Sequence, residues 1–133
     1  MFLTYWLQGK DAIITAPTGS GKTLSYLWPI SSHLMTNYCN GGDNCSRALV
    51  LVPTRELALQ VENIAKSMFA KLPLTALAIT GGNMGRYQLS QKLQAKKPHC
   101  VLATVRSIMP LFTLLCYCDR SSKFKAFSSV VLS

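Results

Sequence analysis

The chain has 133 residues, 49% of them apolar and only 14% charged, with 14 Lys+Arg against 5 Asp+Glu for a formal charge of +9. That length holds one domain with one core, and the apolar share excludes global disorder. No apolar run approaches the ~18 residues that a membrane span requires, since the longest, Ile108 to Cys118, is interrupted by Pro110.

Elements alternate along the chain. Asp11-Ala12-Ile13-Ile14-Thr15-Ala16 reads as a short strand that runs into a glycine-rich turn. A helix follows over about Thr23 to Thr36, with Leu24, Leu27, Ile30 and Leu34 at helical spacing and Pro29 expected to kink it. Asn37 to Ser46, which holds Gly41-Gly42-Asp43-Asn44, is a loop. Ala48 to Val52 is a continuous apolar run of the kind buried on both faces of a parallel sheet, and Pro53 stops it. Thr54 then caps a helix whose apolar stripe is Leu57, Val61, Ile64 and Met68.

The same unit repeats. Leu74 to Thr80 reads as a strand, Gly81-Gly82-Asn83 as a turn and Arg86 to Ala95 as a polar helix. His99 to Thr104 is another strand, Arg106 to about Tyr117 another helix, and Ala126 to Leu132 a fifth strand. This alternation predicts βαβ units: an α/β fold with a mostly parallel sheet, helices on both faces, in one domain over residues 1–133. Ligands in such sheets bind beyond the carboxyl ends of the strands. Those ends carry Ala16 to Thr23, Pro53-Thr54-Arg55, Gly81-Gly82-Asn83 and Thr104-Val105-Arg106.

Charge is unevenly spread. No acid lies between Asn63 and Cys118, a stretch that carries Lys66, Lys71, Arg86, Lys92, Lys96, Lys97 and Arg106. That balance suits a polyanionic partner, and equally a solvated basic surface. Neither His33 nor His99 has a carboxylate or cysteine at ligand spacing. Cys39, Cys45, Cys100, Cys116 and Cys118 are odd in number, and Cys116 and Cys118 stand too close for a zinc pair, so they read as reduced thiols of an intracellular protein. Met1 to Leu7 has neither the basic start nor the cleavage site of a secretory signal. Pro110 to Cys118 reads as a buried helix covering the sheet rather than a partner- or membrane-binding patch.

Ala16-Pro17-Thr18-Gly19-Ser20-Gly21-Lys22-Thr23 carries the chemistry. Gly19 and Gly21 let backbone N–H groups curl around a phosphate in conformations a Cβ resists, and the helix N-terminus adds partial positive charge behind them. Lys22 can reach terminal phosphates, and the Thr23 hydroxyl can ligate Mg²⁺. This is a phosphate-binding P-loop with Ala16 in place of the usual first glycine.

With these motifs in order, the chain resembles the first RecA-like domain of DEAD-box ATP-dependent RNA helicases, from Leu7-Gln8-Gly9-Lys10-Asp11 to Ser129-Val130-Val131-Leu132. Ala16 to Thr23 looks like the family's Walker A motif, Pro53-Thr54-Arg55-Glu56-Leu57-Ala58-Leu59-Gln60 like its RNA-contacting PTREL motif, and Gly81-Gly82 like its GG motif. The resemblance implies a RecA-like P-loop NTPase that uses ATP and Mg²⁺ at residues Ala16, Pro17, Thr18, Gly19, Ser20, Gly21, Lys22 and Thr23. It implies single-stranded RNA, gripped by its backbone, at Pro53, Thr54, Arg55, Glu56, Gly81, Gly82, Thr104 and Arg106.

The departures shape the expectation. Thr104-Val105-Arg106 stands where the family has Thr-Pro-Gly-Arg, so a shortened loop re-aims Arg106. Ser133 stands where Asp-Glu-Ala-Asp should follow Leu132, Gln8 is not at the position of the adenine-reading glutamine, and the second RecA-like domain is absent from the sequence. The carboxylates that hold the Mg²⁺ water shell and position the attacking water, and an arginine finger, are therefore not supplied. The expectation is the ATP-binding half of an RNA helicase that does not turn over alone. The alternative is a P-loop module that binds nucleotide or RNA without hydrolysis; a small P-loop kinase would have no use for the PTREL segment.

Overall fold

A computed structural model describes residues 13–39, 48–81, 86–107 and 128–131. Asp11-Ala12, the loop around Gly41-Gly42, Gly82-Asn83 and the Pro110 to Cys118 run lie outside the described residues. The chain divides into two compact units, Met1–Gly42 and Asp43–Ser133.

In the first unit, residues 13–17 form no strand, contrary to the sequence expectation, and Ile13 is 98% exposed. Apolar, β-branched composition favours extension, but a strand exists only through a ladder of backbone bonds, and none forms here. Helix α1 (Lys22–Cys39) follows and continues through Pro29 to Cys39. Its buried face is Tyr26, Leu27, Ile30 and Leu34, whereas Leu24 is exposed on the other side of the helix with Trp28.

Among the described residues the second unit holds a four-stranded sheet of β1 (Ala48–Val52), β2 (Ala76–Ile79), β3 (Cys100–Thr104) and β4 (Ser128–Val131), in the order β2-β3-β1-β4. Every pairing is parallel. Ala48 and Ala76 both sit in register with Cys100, so side chains of β1, β2 and β3 share faces. Leu49, Ile79, Val101 and Ala103 cluster on one face with Leu51 and Leu93. Cys100 is fully buried, and desolvation pushes its thiol up to about 12, so it is a packing residue rather than a nucleophile.

Helix α2 (Arg55–Phe69) crosses from β1 to β2. Its buried residues are Ala58, Val61, Glu62, Ala65 and Phe69, which rotates the packed face away from the expected Leu57, Val61, Ile64 and Met68 stripe. Ala58 and Ala65 are completely buried because their small side chains let the backbone approach the sheet, and the larger residues flank that contact half-buried. Glu62 is buried for a different reason. Its Oε1 accepts the Ala78 N–H at 3.0 Å and pairs with Lys66 Nζ at 3.0 Å, which satisfies an amide on the open side of edge strand β2.

β2 starts later than the sequence suggests. Thr75 donates its N–H to His99 Nδ1 at 3.1 Å, while its carbonyl accepts from the His99 and Cys100 amides. A side-chain knot thus replaces the ladder at the start of β2 and β3, and gives His99 a structural role. Helix α3 (Arg86–Lys96) returns the chain to β3. It ends on Lys97, whose N–H bonds the Leu93 carbonyl at 2.8 Å with φ +40°. Left-handed backbone crowds a Cβ, at roughly 1 kcal/mol for an L-residue, and glycine relieves it. Lys97→Gly is therefore expected to raise folding stability by about 0.5–1 kcal/mol, seen as a higher urea midpoint with an unchanged slope.

Candidate functional site

The Gly19–Gly21 loop of the first unit is shaped by backbone geometry. Ser20 donates its N–H and its hydroxyl to the Pro17 carbonyl at 3.4 and 2.7 Å, closing a tight turn through Thr18 and Gly19. Gly19 has φ +77° and Gly21 has φ +83°, and a Cβ at either would meet nothing within 4 Å. The need for glycine here is conformational rather than steric among the described residues. Ser25 N–H reaches the Gly21 carbonyl at 3.0 Å, so Gly21 is the residue at which α1 begins. The first amides of a helix have no intrahelical partners, so those of α1 remain available beside the exposed loop. Lys22 and Thr23, both half-buried, occupy its first two positions. An oxyanion fits this arrangement, and Thr23 offers one hydroxyl to a cation that brings its other ligands from phosphate and water.

The second unit builds its site at the carboxyl edge of the sheet. Thr54 is extended, at φ −124° and ψ 157°, and its Oγ1 accepts the Leu57 N–H at 3.2 Å as the N-cap of α2. The Thr54 hydroxyl proton remains available to a ligand oxygen. Pro53, Arg55 and Glu56 are exposed. Glu56 complements the helix dipole but carries the sign of a phosphate, whereas Arg55 opposes the dipole from the first helical position. Among the described residues Arg55 forms no ion pair or hydrogen bond.

Two expectations about this edge need correction. The Gly81 N–H is not open to a phosphate: it is donated to Ser107 Oγ at 2.6 Å. Thr104 is buried, and its Oγ1 lies 2.6 Å from the same Ser107 Oγ. The reason is the altered loop. With no glycine after Thr104, residues 105–107 turn directly into helix, which swings Ser107 under Gly81 and leaves Arg106 exposed in the first turn. Ser107 is the residue that sequence reasoning missed; its only clue is the three-residue spacing from Thr104, as between a helix cap and its first turn. Gly82 lies outside the described residues. Also among the described residues, no cluster of His, Cys, Asp or Glu is arranged to hold a metal ion, and no helix is long and apolar enough to cross a membrane.

The family model for DEAD/DEAH box helicases matches residues 1–132. The chain belongs to this family.

Among its DEAD-box relatives is "DEAD-box ATP-dependent RNA helicase 58, chloroplastic" of Oryza sativa subsp. japonica, 42% identical over 77% of this chain and 22% of that protein. ATP-dependent RNA helicase RhlB of Aliivibrio salmonicida is 35% identical over 95% of this chain and 28% of its own length. Among solved structures, the DEAD-box helicase Mss116 bound to ssRNA and UDP-BeF superposes with a TM-score of 0.67 at 27% identity, covering 87% of this chain and 23% of that one. The chain thus spans under a third of the length of these relatives, and its α/β fold is that of the RecA-like helicase domain.

Family membership makes the Gly81 position testable in structural terms. A Cβ there would lie 2.9 Å from Ser107 Oγ, so the hydroxyl has to leave the Gly81 amide. Gly81→Ala is expected to cost roughly 1–3 kcal/mol in urea denaturation, and Gly81→Ala/Ser107→Ala to cost less than the sum of the single changes.

Proposed function

We propose that this chain is the ATP-binding part of a DEAD-box ATP-dependent RNA helicase, binding Mg²⁺·ATP at Ala16 to Thr23 and the backbone of single-stranded RNA along the edge led by Arg55. The observation that carries this reading is the loop itself: two glycines at positive φ, where among the described residues nothing lies within 4 Å of an added Cβ, at the start of α1 with Lys22 in its first position. Main-chain amides of the loop would surround the β-phosphate, Lys22 would neutralise the terminal phosphates, and the Thr23 hydroxyl would hold the cation. Mg²⁺, when bound, would neutralise charge between neighbouring phosphate oxygens.

The 133 residues include no Asp-Glu-Ala-Asp segment. Binding without turnover is therefore the reading for this chain alone, with the remaining catalytic groups and a second RecA-like domain supplied from outside these residues. Titration with ATP is expected to show binding that falls at least about tenfold in Lys22→Ala, with phosphate release at background in both. Equal affinity in a folded Lys22→Ala would remove the loop as the site. RNA-stimulated phosphate release that Lys22→Ala abolishes would reveal a catalytic carboxylate elsewhere.

Support for RNA comes from Arg55. A cation at a helix start is unfavourable by about 0.3–1 kcal/mol, so local stability does not explain it, whereas a phosphate would benefit from the arginine and the helix end together. Contacts of this kind position a strand without reading its sequence. Binding to single-stranded RNA should weaken with salt at a log–log slope of roughly −0.7 per phosphate contact. Arg55→Ala is expected to lower affinity and flatten that slope clearly more than Lys96→Ala, at the far end of α3. Equal small losses would leave only diffuse attraction by net charge.

A further inference from the structure

The hydroxyl of Ser107 joins segments that are distant in sequence. It accepts the Gly81 N–H at 2.6 Å, across 26 residues, and it lies 2.6 Å from Thr104 Oγ1. Ser107 is 6% exposed and Thr104 7%, so both hydroxyls are buried, while Gly81 is partly buried. A serine oxygen has two acceptor sites and one proton. One acceptor site takes the Gly81 amide, and the Thr104 contact uses either the proton or the second site, so the latch closes whichever hydroxyl donates. Above it, Arg55 Nη2 lies 3.9 Å from where a Cβ of Gly81 would stand. The guanidinium therefore rests over the bare face of Gly81, and among the described residues no ion pair or hydrogen bond holds it there.

We propose that Ser107 is a positioning residue for RNA binding: its hydroxyl pins the end of β2 to the end of β3, and the glycine floor so formed sets the Arg55 guanidinium where it meets a phosphate. The assignment rests on the reading of this edge as an RNA site. It gives Gly81 a part in that site different from phosphate binding, since its amide is already occupied. Without the oxygen, the Gly81 amide is freed, the end of β2 is no longer tied to residues 105–107, and Arg55 loses the surface that limits its rotamers. A long side chain released in this way loses more rotamer freedom when it binds, and affinity falls.

The test is a double-mutant cycle on the whole 133-residue chain. It is read by fluorescence anisotropy with a labelled single-stranded oligouridylate over a salt series, with circular dichroism to verify the fold. Ser107→Ala is expected to lose about threefold or more in affinity in the parent background and nothing further in the Arg55→Ala background. Its salt slope should shift toward that of Arg55→Ala, and Ser107→Thr, which keeps the hydroxyl, should stay nearer the parent. If Ser107→Ala does not fold, Ser107→Cys, which keeps the volume but is a weak acceptor for the Gly81 amide, takes its place in the cycle with the same expected coupling. Loss of the same size in both backgrounds, or no loss in either, overturns the role of Ser107 while the RNA site stands. An Arg55→Ala variant that binds as well as the parent overturns the RNA reading of this edge, and this assignment with it.

Discussion

A parallel strand can be followed by another only after the chain has travelled back from the carboxyl edge of the sheet to the amino edge. That constraint places the site. β1, β2 and β3 all end on one edge, and each exit delivers a short segment there: Pro53 to Arg55, Gly81, and residues 105–107. The strand order sets these exits side by side, with the end of β3 between those of β2 and β1. Segments more than twenty residues apart therefore meet at a single serine oxygen.

Helix starts repeat one electrostatic choice. Lys22 opens α1, Arg55 opens α2, and Arg106 lies in the first turn after β3. A helix N-terminus favours acids, and of these three starts only α2 carries one, Glu56. Placing cations where the backbone already lacks electrons sacrifices local stability for a stronger attraction to anions. It also concentrates positive charge at a few positions in a chain with a modest share of charged residues.

Much of the fold is legible in the sequence because buried parallel strands are continuous apolar runs. The bounds of β1 follow directly from Ala48 to Pro53, and the tight turn before α1 follows from Gly19 and Gly21. What escapes is whatever depends on partners across the sheet. The stripe of α2 was read from its large residues, but close approach is made by Ala58 and Ala65, which a hydrophobicity pattern undervalues. Residues 13–16 looked like a strand by composition, yet pairing decides whether a strand exists. Gly81 reads in the sequence as a turn residue whose bare backbone meets a phosphate. Its φ is unexceptional; what it provides is room for Ser107. Ser107 has only its three-residue spacing from Thr104 to mark it, because its role follows from where a shortened loop starts its helix.

The carboxylate of Glu62 has a consequence beyond its own bonds. β2 lies at the margin of the sheet, where unpaired amides invite a strand from a second molecule. Glu62 already occupies the Ala78 amide from within the same chain. An incoming strand would have to displace a buried carboxylate that already holds the Ala78 amide and pairs with the exposed Lys66. Crowded copies of the molecule are thereby steered from sheet-to-sheet stacking on that side, so a change at Glu62 would surface first as a loss of colloidal behaviour at high concentration.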